Sequence, residues 1–281
     1  MKIIPWLFVL IPISGFGHPI TVNDVIERIR MEANHPVRET TVDTIKIGSS
    51  EAEVTGIVTT FMPTLAVLKE AVKRNCNLII PHEPLLYNHF DRMDGLEQDE
   101  VVAAKIQYIK DNNLTIWRFH DLIHDMHPDG IYAGMIEKLG WTEYQYTENK
   151  MLFELPEKIE LKEFVDHVAD IFPEAELRVV GDPNMNFQGF GLAVGAMGSR
   201  IHFPLLQKSE VELLIIGEAN EWEAVEYVRD AAEAGFAKAL LILGHAISEE
   251  DGMAWCKSWL EGFIDEVPIH HIEAGDPFWA P

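Results

Sequence analysis

Apolar residues are grouped in short blocks along this chain, and the spacing inside the blocks changes character from one to the next. Leu78-Ile79-Ile80, Leu213-Leu214-Ile215-Ile216 and Leu240-Leu241-Ile242-Leu243 are unbroken apolar runs. Runs of that length mark strands buried on both faces. Between them, apolar positions recur every three or four residues, the period of a helix with one buried face. The pattern predicts helices over 23–31, 64–73, 101–110, 134–139, 161–171, 221–234 and 248–262. Asn23 or Asp24 is expected to cap the first, Gly235 to close the sixth, and Ser248 with Asp251 to open the last. Strands are predicted over 42–47, 54–60, 78–80, 114–119, 151–155, 177–180, 191–194, 213–216, 240–243 and 267–272. Strands alternating with helices through short loops predict an α/β fold.

One order of elements occurs twice. LKEAVKRNCNLIIPHEP and VEYVRDAAEAGFAKALLILGHAISEE each run helix, turn, apolar strand, histidine. Ligands of α/β sheets gather at the carboxyl ends of strands. Two such units facing each other would bring both histidines to one cleft.

Three segments carry the candidate chemistry. His82 and Glu83 follow the strand LII, bracketed by Pro81 and Pro84, which can turn two adjacent side chains toward one centre. His120, Asp121, His124 and Asp125 follow the strand at 114–119. His245 and Glu249 span a strand end and the first turn of a helix. Imidazole and carboxylate collected at strand ends are the donors a catalytic divalent metal requires. His270 and His271 lie inside an expected strand, point to opposite faces and are read as structural. The chain has no GxSxG, no GxxxxGK[ST] and no GxGxxG, so an elbow serine, a P-loop and a dinucleotide fingerprint are absent.

Bulk properties narrow the partners. The 281 residues carry a net charge of −24, which repels nucleic acid and anionic membranes. With 47% hydrophobic and 24% charged residues, the composition is that of a folded globular protein. Cys76 and Cys256 lie in no CxxC and are expected as free thiols. Residues 1–17 place Lys2 ahead of an apolar run and small residues, the order of an export signal cut after Gly17. The protein is then expected to be exported, periplasmic or secreted, and otherwise cytoplasmic.

Together these residues resemble the Nif-three-like dinuclear metal-centre family, also described as type-two GTP cyclohydrolase-one-like. EVTGIVTTFMPTLAVLKEAVKRNCNLIIPHEPLLY, RFHDLIH, LRVVGDP, LLIIGE, LGHAISEE and GDPF are similar to its blocks and stand in its order, from about 22 to 281. The resemblance implies two similar α/β lobes with mixed sheets flanked by helices, and a metal site at strand ends in the cleft between them. Lobe one would comprise about 18–130 completed by 201–281, with an inserted middle lobe at 131–200. It implies two divalent ions (Zn, Mn or Fe) held by His82, Glu83, His124, His245 and Glu249, with His120 as a catalytic proton carrier. Glu83 stands where the family has a second His of a His-His pair, and His124 where it has Asp. One imidazole is lost and one gained, so the donor count is kept. Asp121, Glu218 and His89 would orient the ligands. The implied function is a metal-dependent hydrolase acting on a small nucleotide-like or phosphoester substrate through a metal-activated water. The alternative is a non-catalytic metal-binding scaffold. Either would be a homo-oligomer, a ring-shaped hexamer by resemblance.

Overall fold

The computed structural model describes residues 19–279, so the expected export signal at 1–17 lies outside the described residues. Two five-stranded mixed sheets organise the chain. The first comprises β1 (Ile45–Ile47), β2 (Ile57–Thr60), β3 (Leu78–Pro81), β4 (Thr115–Trp117) and β10 (Ile269–His271), in the order β1-β4-β3-β2-β10. Its strands are parallel except β1 against β4. The second comprises β5 (Leu152–Glu160), β6 (Arg178–Val180), β7 (Asn186–Ala193), β8 (Leu213–Ile216) and β9 (Ala239–Ile242), in the order β5-β7-β8-β9-β6. Here β7, β8 and β9 are parallel, while β5 and β6 close the two edges antiparallel. The apolar runs become the fully buried central strands β3, β8 and β9.

The sheet partition differs from the sequence expectation. Residues 201–281 were expected to complete lobe one, yet β8 and β9 hydrogen-bond to β7 and β6, so the second sheet draws on 152–242. Among the described residues of the late chain, only β10 returns to the first sheet.

Nine helices among the described residues cover the sheets. They are α1 (Val22–Ala33), α2 (Leu65–Lys73), α3 (Glu100–Asp111), α4 (Asp121–Asp125), α5 (Gly130–Leu139), α6 (Leu161–Ile171), α7 (Ser199–Leu206), α8 (Glu226–Glu233) and α9 (His245–Leu260). Val67, Leu68, Val102 and Ile109 of α2 and α3 pack on one face of the first sheet. Leu205, Leu206 and Val228 of α7 and α8 pack on one face of the second. The two remaining sheet faces share a single core with α1, α5 and α9, from Ile57 and Leu78 through Met135 and Met253 to Phe190 and Leu213. Among the described residues no helix is long and apolar enough to cross a membrane.

Several helix starts differ from expectation for identifiable reasons. Thr21, rather than Asn23 or Asp24, caps α1, and Asp24 completes a capping box by accepting the Thr21 N–H. Helix α9 starts at His245 instead of Ser248. Ser248 is occupied elsewhere: its hydroxyl donates to the His245 carbonyl and accepts the Gly195 N–H at 2.9 Å. The expected helix at 221–234 opens with a π-turn at Glu221–Val225 before α8. Helix α7 falls in a segment where no helix was expected.

Helices α5 and α9 approach closely because both carry glycine at the crossing. A β-carbon on Gly134 would overlap the Asp251 carbonyl and come to 2.7 Å from the Gly252 Cα. Overpacking of this kind costs about 1–3 kcal/mol. Gly134→Ala is therefore expected to lower the unfolding free energy by that amount, read in equilibrium unfolding as a lower urea midpoint with an unchanged m-value.

Candidate metal centre

The site is assembled by strand ends. Parallel pairing continues one step past the ends of β2 and β3, where the His82 N–H donates to Thr60 and the Glu83 N–H to Phe61 at 3.0 and 2.8 Å. This delivers both side chains to the carboxyl edge of the first sheet. Beside them, β4 runs out through Arg118 and Phe119, whose N–H donates to the Pro81 carbonyl at 2.9 Å. The chain then turns sharply, because buried Asp43 accepts the N–H groups of His120, Asp121 and Leu122 at 2.7, 2.9 and 2.8 Å. A carboxylate collecting three such donors does the work of a helix cap and starts α4, which carries His124. From the second sheet, β9 ends at Ile242, Gly244 takes φ +98°, and α9 begins with His245 and carries Glu249 one turn on.

The five expected metal-ligand residues and His120 are brought together. His82 and His120 stack with ring centroids 4.6 Å apart, and His124 stands edge-on to both at 5.0 and 5.3 Å. Glu249 Oε2 lies 3.4 Å from His82 Nε2 and 3.1 Å from His245 Nε2. Glu83 Oε1 lies 3.4 Å from His245 Nε2 and 3.8 Å from His120 Nε2. Two triads have donor atoms close enough to hold an ion: His82, His120 and His124, and His82, Glu83 and Glu249. His82 belongs to both.

Each imidazole has one nitrogen engaged from outside. His82 Nδ1 lies 3.2 Å from the Phe119 carbonyl, which can only accept, so the proton sits on Nδ1. His120 Nδ1 meets Asp121 at 3.1 Å, His124 Nδ1 meets Asp129 at 2.9 Å, and His245 Nδ1 stands 3.7 Å from Glu218. The opposite nitrogens face the common centre, the arrangement metal-ligating histidines use.

The charge balance also fits a cation. His82 is fully buried, and burial holds its pKa well below the usual imidazole value. Its Nε2 has no hydrogen-bond partner and faces a carboxylate oxygen. A buried polar atom left this way costs about 1–3 kcal/mol, and a cation between the two would relieve it. Burial likewise pushes His120 down to about 4. Burial also works to lower His124 and His245, but carboxylates outweigh it. Asp129 raises His124, while Glu218, Glu249 and Glu83 push His245 up to about 12. Three carboxylates around one imidazole are an excess of negative charge that a positive ion would satisfy. All donors are N or O, a set suited to zinc, manganese or iron(II).

Of the expected orienting residues, Asp121 and Glu218 are in place. His89 instead packs its exposed ring edge-on to His120 at 5.3 Å. His270 and His271 lie in β10, where His271 Nε2 stands 3.3 Å from Glu250 and Nδ1 3.2 Å from the Thr59 carbonyl. Three contributors escaped the sequence reading. They are Asp43, Asp129 and Arg118, whose fully buried guanidinium donates to the His82 and His89 carbonyls and to Glu83 Oε2 at 3.1 Å. An arginine directly following a buried strand, TIWR, was the one available signal. Gly195 is needed as well: at φ +64° it lies against Glu249, and a methyl there would fall into the carboxylate.

A family model described as Duf34/NIF3 (NGG1p interacting factor 3) matches residues 20–277. The chain belongs to the NIF3 family. It is 28% identical over 236 residues to a GTP cyclohydrolase 1 type 2 homolog of Clostridium acetobutylicum, covering 80% of this chain and 84% of that protein. A Clostridium perfringens protein of the same description is 23% identical over 245 residues, covering 83% and 89%. Among solved structures, a Staphylococcus aureus hypothetical protein superposes with TM-score 0.75 at 16% identity, over 94% of this chain and 100% of that one. A Bacillus cereus protein related to NIF3 superposes with TM-score 0.74 at 14% identity, over 93% and 99%. These two establish the shared NIF3 fold of paired mixed sheets.

Asp129 has two separable roles in this NIF3 protein. One oxygen orients His124, and the other caps α5 by accepting the Ile131 and Tyr132 N–H groups at 2.9 and 3.2 Å. Asp129→Asn keeps a capping oxygen and loses the charge behind His124. Zinc affinity, titrated against a competing chelator, is expected to fall about 10- to 100-fold. Asp129→Ala should in addition cost the metal-free chain about 1 kcal/mol.

Proposed function

We propose that this NIF3-family protein is a dinuclear, divalent-metal-dependent hydrolase of a small phosphoester or nucleotide-like substrate. The observation that carries the proposal is the buried, unpartnered Nε2 of His82 shared by two donor triads. His82 Nε2 has one lone pair and would hold one ion, so a second ion beside it would rest on the remaining donors. His120 and His124 would complete one side, and Glu83, Glu249 and His245 the other. Bound there, divalent ions would supply Lewis acidity toward water and toward an ester oxygen.

The chain's own groups have defined tasks. Asp121, Asp129 and Glu218 aim the imidazoles. Arg118 occupies Glu83 Oε2 and leaves Oε1 facing the centre. His120 is a neutral imidazole with Nε2 turned inward, able to hold a cation or to accept a proton. Glu218, with 56% of its side chain exposed, stands where the centre meets solvent and can pass a proton outward. The side chains of His120, His124 and His245 are 19–24% exposed while that of His82 is fully covered, so the centre is open on one side to a small molecule. A purely structural metal site is closed. The description of the clostridial relatives as GTP cyclohydrolase 1 type 2 homologs favours a nucleotide-like substrate.

The test is a panel of phosphoesters and cyclic amidines assayed with the full chain reloaded with manganese, zinc or iron(II). Turnover should require the metal and fall by about two orders of magnitude or more in His245→Ala and Glu249→Gln. Fewer than one divalent ion per chain after reloading would refute the metal centre. Full occupancy without turnover would leave a metal-holding scaffold.

A further inference from the structure

The loop after Glu83, residues 84–92, carries the argument beyond the metal centre. It is built to hold aromatic side chains out in solvent. Tyr87 and Phe90 are 53% and 58% exposed, and His89 is exposed as well. Tyr87 and Asp91 both take left-handed backbone angles, φ +61° and +53°, a region that a bulky residue such as tyrosine rarely occupies. Interior cations fasten the loop from behind. Lys105 Nζ donates to the Leu85 carbonyl at 3.0 Å, Lys46 pairs with Asp91 at 3.0 Å, and Arg118 donates to the His89 carbonyl. Such strain, held in place by surrounding structure, is typical of functional loops.

The exposed rings are continuous with the centre. His82 stacks on His120 at 4.6 Å, His120 meets His89 at 5.3 Å, and His89 meets Phe90 at 5.0 Å. At the outer end, the Arg92 guanidinium sits 4.9 Å over the Phe90 ring. Among the described residues no carboxylate pairs with that guanidinium, although the chain carries 46 acidic residues against 22 basic ones. An unpaired arginine on such an acidic protein, beside an exposed ring and a metal-type centre, is suited to a substrate that brings its own negative charge.

We propose that Phe90 and Arg92, with His89 between them and the centre, form the specificity subsite of this protein, a shelf for an anionic substrate bearing a planar aromatic group. The proposal rests on the centre being the place that holds the anionic end of that substrate. The ring lies against Phe90 and His89, and the Arg92 charge attracts the anionic substrate to this edge of an otherwise acidic chain.

Non-hydrolysable phosphonates separate this inference from the hydrolase reading. Phenylphosphonate and methylphosphonate carry the same charged group and differ in the ring. Calorimetric titration of the full chain, purified with zinc present, should show phenylphosphonate binding about tenfold tighter, as a single aromatic stack provides. Phe90→Ala should bring the ratio near one, and Phe90→Trp should restore it. Phe236→Ala, which removes an exposed ring of the second lobe, should leave it intact. Arg92→Gln should weaken both ligands together. A ratio near one in the unaltered chain, a ratio that survives Phe90→Ala, or no binding of either phosphonate would overturn the shelf. Turnover plays no part in this measurement. A chain that selects the ring and hydrolyses nothing would keep the shelf and retire the hydrolase.

Discussion

The His82 imidazole donates its one N–H to the Phe119 carbonyl and turns a lone pair toward the Glu249 carboxylate. Two electron-rich atoms facing each other in a water-poor interior repel; a cation between them relieves the contact, as does a proton on Glu249, whose pKa burial raises. Much of the surrounding architecture maintains that confrontation. The Phe119 carbonyl is positioned because β4 lies parallel to β3 and because Asp43 gathers the three amides that follow. Glu249 is held from the other lobe, on a helix whose first turn is pinned to the Gly195 loop through Ser248. An apolar pair of similar volume would serve stability alone at least as well, so the contact is not explained by stability.

Glu83 and His124, the two positions at which the sequence resemblance implies other residues, each have a counter-charge at hand. Glu83 has the Arg118 guanidinium on one oxygen. His124 has Asp129 on its outer nitrogen. Neither group is left without a partner of opposite sign in direct contact.

The apolar runs that became β3, β8 and β9 were readable because unbroken blocks of three or four Leu and Ile have few other uses. The histidines that follow two of them were readable for the same reason, since a polar residue at the end of a buried strand sits at the sheet's carboxyl edge. Which sheet each strand joins was not readable. LLII and LIIP are interchangeable by composition, and only the pairing of β8 with β7 and β9 ties it to the second lobe. Helix α7 was hidden by Pro204, which has no N–H for the Arg200 carbonyl. Arg200 is exposed, so water can take that bond and the helix survives. Asp43 and Asp129 were invisible because an isolated acid in a loop looks like any other surface acid until the backbone amides it serves are in place.

Helix α9 contributes to more than the centre. It contributes His245 and Glu249 at its start and presses Gly252 into α5 two residues further on from Glu250. One rigid rod thus sets both the donor positions and the docking of the two sheets. A cation held between His82 of one lobe and Glu249 on that rod would act as a rivet across the cleft. Binding only the docked arrangement, it would stabilise the docking by mass action, in proportion to the logarithm of free ion concentration. The mechanical integrity of this molecule would then follow the metal supply of its compartment.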